Sequence, residues 1–401
     1  MSTQKPTEQS FSLGGDHGLV RLQRAALAIG AIGLVLAAVG AVVNPEQFFR
    51  SYLIAFLFWF GIALGSMAIL MIHHIAGGAW GAVIRRLLEC GTRTLPLLVL
   101  LFLPLLLGIR DLYEWARPEI VAHDEILQHK ALYLNVPFFI VRAAIYFSAW
   151  LLLAGFLNRW SLEQDRAPSP SVARRLENLS RGGLLLLALT MTFAAIDWAM
   201  SLEPHWYSTI YSILIMGGQV LTAMAFVIPV AAWLAQDHGP LADIISPEQF
   251  HDLGKLLLAF VMLWTYFSLS QFLIIWSANL PEEIPWYLHR MQGGWQFIGI
   301  GLMLFHFALP FLILLSRDVK RNPRALATVA VALMGVRFME LFWLITPAFA
   351  PTGFTLHWLD PVALFGVGGL WFAFFVWQLK SRPVVPMHDP SLPLLIASHE
   401  A

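Results

Sequence analysis

Apolar residues collect into ten long runs along the chain, parted by short polar or proline-bearing segments. The runs lie near 21–43, 51–73, 93–112, 133–157, 180–203, 209–235, 252–279, 292–316, 324–345 and 357–380. A helix rises ~1.5 Å per residue, so about 20 apolar residues cross the ~30 Å hydrocarbon core of a bilayer. Runs of this length predict an all-α integral membrane protein with ten transmembrane helices. An even number of crossings places both termini on one side. Spans two to five and six to nine then start from the same face. That arrangement permits two four-helix bundles, with spans one and ten as peripheral helices. The organisation expected is a polar N-terminal segment (1–20), a ten-helix membrane domain (21–380) and a short Pro-rich tail (381–401).

Composition agrees with this reading and narrows it. Of 401 residues, 58% are hydrophobic and 12% charged, against about 25% charged in an ordinary soluble domain. The single cysteine, Cys90, excludes an internal disulfide framework and a self-sufficient Cys-ligated iron–sulfur cluster. No Cys-x-x-Cys-His is present for covalent haem. A formal net charge of zero argues against a nucleic-acid partner. The first apolar run is long enough to stay in the bilayer, so no cleavable signal is expected. Of the 25 Lys and Arg, 18 fall on the side of the termini and 5 on the other, with Arg142 and Arg337 inside spans. The positive-inside rule therefore predicts that both termini are cytoplasmic.

The opposite side has a different character. DLYEWARPEIVAHDEILQHK (111–130), EPHWYS (203–208) and LPEEIPWYLH (280–289) are acidic and aromatic. They suit either an interfacial aromatic belt or a docking surface for a partner outside the cytoplasm. On the terminal side, SLEQDRAPSPSVARRLENLS (161–180) reads as a flexible linker.

Several spans carry ionisable residues. A charge at the bilayer centre costs roughly 2.5–3.5 kcal/mol on insertion scales, so such residues usually face the bundle interior, pair, and mark proton or ion paths. Arg337 and Glu340 are three apart and share a helix face. Counting ~1.5 Å per residue, Arg337 lies roughly 16 Å into its span. Arg142 has no acid within a turn of it, so its partner must come from another helix. Asp197, on a stripe with Thr190 and Ser201, is the first candidate. His306 lies in the inner half of the eighth span, His73 and His74 at the inner end of the second, and Asp111 at the outer end of the third. These eight residues, Asp197, Arg142, Glu340, Arg337, His306, His73, His74 and Asp111, form the candidate proton path. Each also has a plainer use, as a buried salt bridge, a packed core histidine or an interfacial residue. Nothing pairs His306 with another His at matched depth for haem.

Three stretches carry a resemblance: SLGGDHGLVRLQRAALAIG (12–30), WAMSLEPHWYSTIYSILIMGGQV (198–220) and QFLIIWSANLPEEIPWYLHRMQGGW (271–295). Together they resemble the ActF subunits of alternative complex III, a bacterial quinol:cytochrome c (or high-potential acceptor) oxidoreductase. The similarity runs over roughly 11–385. Its most specific part is 271–295, whose order of Trp, Asn, Pro-Glu-Glu and Pro-Trp-Tyr is not a generic hydropathy pattern. Those subunits are in turn similar to the NrfD/polysulfide-reductase membrane subunits, which bind quinone from the bilayer and lack a redox centre of their own. The resemblance implies ten helices in two four-helix bundles, set in the bacterial inner membrane. It implies a paralogous NrfD-like subunit, an iron–sulfur subunit, and multihaem and monohaem cytochromes c as partners, which would hold all haems and clusters. It associates the quinol site best with the paralogue. Quinone or menaquinone binding in this chain, with Asp197 as proton acceptor and Arg142 as its charge partner, stays open beside proton conduction and a scaffold role. An independent secondary transporter and a purely structural anchor are the competing readings.

Overall fold

The computed structural model describes residue 13 and residues 17–167, 169–236, 239–242 and 244–386. Ten helices among them are long and apolar enough to cross a membrane: α1 (His17–Val43), α2 (Pro45–Ala76), α3 (Arg85–Leu107), α4 (Val136–Arg166), α5 (Pro170–Leu202), α6 (Tyr211–Leu234), α7 (Pro247–Ala278), α8 (Trp295–Leu315), α9 (Pro323–Ala348) and α10 (Leu359–Lys380). The described residues contain no strand. The protein is an all-α, multi-pass membrane protein.

Several helices overrun the apolar run that announced them, because a cap rather than hydropathy sets where they begin. Asn44, Asn135, Ser169, Ser246 and Asn322 each accept a backbone N–H with the side chain and are followed by proline at the first or second helical position. That is the strongest local start signal available to a helix. It also corrects the linker expected over 161–180. There α4 runs to Arg166 and α5 starts at Pro170. Ser169 and Pro170, read as part of that flexible stretch, are the cap and first residue of α5.

The architecture is two four-helix bundles with an added pair. Helices α2 to α5 pack together, α6 to α9 pack together, and the bundles meet where α2 lies against α6. Helix α1 packs antiparallel on α10, and that pair leans on α2. Small residues bring α1 and α10 into close contact: a methyl added at Gly33 would sit 2.6 Å from Gly366 Cα. Without a hydrophobic drive inside lipid, such close backbone approach is how spanning helices associate. Antiparallel pairing puts the first two turns of α1 beside the last turn of α10, where Lys380 Nζ donates to Gln23 Oε1. Both ends of the described chain therefore lie at one face, here the terminal face.

Helix α2 is the central pillar, with 94% of its most apolar stretch buried, against 22% for α7 and α8. The outward sides of the peripheral helices carry Leu269, Ile274, Phe297, Ile300 and Leu312, all exposed. These exposed apolar faces suit contact with lipid rather than water.

Candidate functional site

The first buried ionic group belongs to bundle one. Helices α4 and α5 are antiparallel neighbours, and Arg142 and Asp197 sit near their far-face ends. Arg142 donates from Nε to Asp197 Oδ2 at 2.8 Å and from Nη2 to Oδ1 at 2.9 Å. Tyr146, one turn along α4, donates its hydroxyl to Oδ2 at 2.8 Å. The remaining Arg142 nitrogen, Nη1, reaches the Tyr133 carbonyl at 2.9 Å. The guanidinium is flanked by the Tyr133 and Phe138 rings at 3.9 and 4.3 Å. Asp197 is fully buried, and both its oxygens are occupied. A bidentate pair with an added hydroxyl is the geometry that offsets the cost of burying two charges. Arg142 is six residues into α4, about 9 Å from its first residue. That is shallower than the span read from hydropathy implied, because 131–135 forms a turn before the Asn135 cap.

The hydroxyls on the Asp197 stripe are committed locally. Thr190 Oγ1 accepts from Trp150 Nε1 and donates to the Leu186 carbonyl. Ser201 Oγ donates to the carbonyl of Asp197 itself.

The second group belongs to bundle two and joins three helices. Arg337 and Glu340 pair along α9. Trp264 Nε1 on α7 donates to Glu340 Oε1 at 2.8 Å. His306 on α8 brings Nδ1 to 3.7 Å from Glu340 Oε2, and its ring stands edge-on to Trp264 with centroids 3.8 Å apart. Arg337, Glu340 and His306 are each at most 2% exposed. Gly218 on α6 makes room for the guanidinium, since a methyl there would collide with it. Both ring nitrogens of His306 lack a hydrogen-bond partner among the described residues. A buried polar atom left bare costs about 1–3 kcal/mol, so such groups are rare outside functional sites or ordered-water sites.

The backbone at His306 is also unusual. Met303–Ala308 forms a π-helical turn inside α8. Pro310 has no N–H to give the carbonyl four residues back, that of His306, so the regular α-helical bond is unavailable there. Single π turns are uncommon and concentrate at functional sites. A cavity of about 20 Å³ touches Arg337 and Gln219 on one side and Ala194, Trp198 and Ala199 on the other. It lies between the bundles and has room for about one water molecule.

The eight path candidates thus fall into two clusters and three outliers. Arg142 meets Asp197, and Arg337, Glu340 and His306 meet one another. His73 and His74 stay at the terminal-face end of α2, with His73 edge-on to Trp80 at 5.6 Å. Asp111 lies at the far face, where its carbonyl accepts from Arg117. Sequence reasoning missed Tyr133, Tyr146, Trp264 and Gly218. Of these only Tyr146 had a signal, its spacing of four from Arg142. It also missed a third buried network, treating its arginines as topology charges alone. Glu89 accepts from Arg85 Nε at 3.1 Å, Arg86 Nη1 at 2.5 Å and Ser161 Oγ at 2.5 Å, while Arg86 also pairs with Asp165. The spacing of RRLLE would have found its first half.

No protein-family model matches the chain, and no curated protein is a significant match to it.

Proposed function

We propose that this chain is a membrane subunit of a quinol:cytochrome c (or other high-potential acceptor) oxidoreductase of the alternative complex III kind, handling protons and holding no redox centre. The observation that carries this reading is the His306–Glu340–Arg337 cluster. It sets an imidazole 3.7 Å from a carboxylate on a π-helical turn, sealed from solvent. A packing lock needs the Arg337–Glu340 pair alone. It needs neither a titratable ring with two bare nitrogens nor a distorted helix to aim it.

The chemistry follows from proximity. A proton reaching Glu340 cancels its charge and weakens its hold on Arg337. His306 Nδ1 is close enough to take that proton after a small shift, and Nε2 passes it on. Arg337 balances the carboxylate in between and borders the one-water cavity toward α5. The Arg142–Asp197 pair occupies the third and fourth helices of bundle one, as His306 and Glu340 do in bundle two. We read the two as paired stations of one proton-handling design.

A quinol headgroup at the Arg142–Asp197 pair would have to compete with the three side-chain hydrogen bonds that the Asp197 carboxylate already accepts. Quinone or menaquinone binding there belongs to the proposal only in a state where Tyr146 has released the carboxylate, and no step is routed through it. In this reading the terminal face is cytoplasmic and the membrane is the bacterial inner membrane. The paralogous subunit, iron–sulfur protein and cytochromes c would assemble around it. The exposed Glu114, Glu119, Glu125 and Glu282 of the far-face segments would then meet partners outside.

Native purification through a tag on this chain tests the assignment. Co-purifying c-type haem, iron–sulfur clusters and quinol-dependent reduction of a high-potential acceptor support it. A lone chain with saturable solute uptake in liposomes would falsify it.

A further inference from the structure

A separate basic site lies at the terminal face, where α3 is interrupted at Arg93 and α10 ends. Arg93 Nη2 donates to Ser381 Oγ at 3.2 Å, which brings its guanidinium beside Arg382. The carboxylates nearest them are already engaged: Glu89 by Arg85 and Arg86, and Asp165 by Arg86. Arg93 and Arg382 are both half-buried. Nη1 of each is shielded from solvent and has no hydrogen-bond partner among the described residues. Burial, and then the neighbouring Arg93, pull the Arg382 guanidinium down to about 10. Two guanidiniums held side by side repel unless an anion sits between them, and their planar forks match phosphate oxygens.

The surroundings select the anion. The two arginines stand where apolar helix gives way to polar chain, the level at which phospholipid phosphates lie. The last turns of α10 border an apolar groove of about 410 Å³, lined by Trp59, Phe226, Trp233, Met334, Phe375 and Leu379. Leu379 is three residues before Arg382, which follows the end of α10 at Lys380. We propose that Arg93 and Arg382 bind the phosphodiester of an anionic phospholipid whose acyl chain occupies this groove. The site rests on the membrane-spanning fold and not on the redox assignment.

The test uses the intact complex, or the chain as purified, in nanodiscs of phosphatidylcholine with or without phosphatidylglycerol. Native mass spectrometry reads retained lipid, and thermal melting reads stabilisation. We expect phosphatidylglycerol to be retained and to raise Tm where phosphatidylcholine alone does not. With each arginine near an anionic lipid contributing about 1 kcal/mol, R93Q/R382Q should weaken phosphatidylglycerol binding about 30-fold. R321Q, which breaks an exposed pair with Glu248 on the same face, should not. Equal retention of the two lipids by the wild-type protein would overturn the proposal even if the double variant fails to assemble. So would unchanged retention in R93Q/R382Q. Inorganic phosphate matching the Tm gain of phosphatidylglycerol would make this a free-anion site and overturn it as well.

Discussion

Glu340 and Arg337 are each almost fully buried, so neither can lose its partner without leaving a stranded charge. Breaking such a pair typically costs about 3–5 kcal/mol, whereas replacing both charges with apolar groups is often near neutral. Glu340→Gln should therefore destabilise the protein by about that amount, and Glu340→Gln with Arg337→Met by clearly less. Denaturation of the variants in detergent, analysed as a double-mutant cycle, checks this. Additive losses would mean that the two side chains do not depend on each other. Gly218→Ala tests the same pocket without touching charge: the methyl must push the guanidinium aside, so its effect should resemble that of Glu340→Gln. Tyr146→Phe removes one of three bonds to the Asp197 carboxylate and should cost about 1 kcal/mol. At this scale the sequence spoke only where partners share a helix or adjacent helix ends. Arg337 and Glu340 are three residues apart, and Arg142 and Asp197 lie near the same ends of consecutive spans. Trp264 and His306 converge on Glu340 from two other helices, and lateral neighbours leave no mark in spacing.

Among elements, the ten spans were legible because length and apolarity alone mark a crossing. Their ends were less so. Asn and Ser caps followed by proline extend several helices past the apolar run, and one such cap starts α5 at Pro170, inside the presumed linker at 161–180. The π turn at Met303–Ala308 was hidden too, although Pro310 explains it afterwards. A pH dependence belongs to the far-face segment. There Asp124 caps the short helix Glu125–Lys130 and meets His205 at 2.6 Å. The Leu127 N–H, and then His205, hold the Asp124 carboxyl below its usual range. A depressed carboxylate contributes stability that is present above its unfolded pKa of about 3.9. That contribution is lost as pH falls through the lower folded value. The protection of amides over 118–130, taken relative to their intrinsic exchange rates, should thus hold at neutral pH and fall only in strong acid. Asp124→Asn should lower that protection at neutral pH and remove the acid step. Protection in the wild-type protein that does not change in strong acid would contradict this.

For the whole molecule, the even number of spans placed both ends of the described chain at one face, and the helix packing delivers the two bundles that span direction allowed. Which face meets the cytoplasm rests on the Lys and Arg asymmetry, and reporter fusions at Ala401 and within 111–130 should report opposite sides. What no pattern showed is how the clustered path candidates divide, Arg142 with Asp197 in one bundle and Arg337, Glu340 and His306 in the other, with a water-sized cavity between α5 and α9. The central claim is that these clusters move protons rather than only fasten helices. The most direct measurement is proton release per electron by the assembled complex in liposomes, comparing wild type with Glu340→Gln and Asp197→Asn at matched assembly. The account predicts that both variants lower proton movement per electron, with Glu340→Gln the stronger. Wild-type turnover and wild-type proton movement in both would reduce the clusters to structural locks.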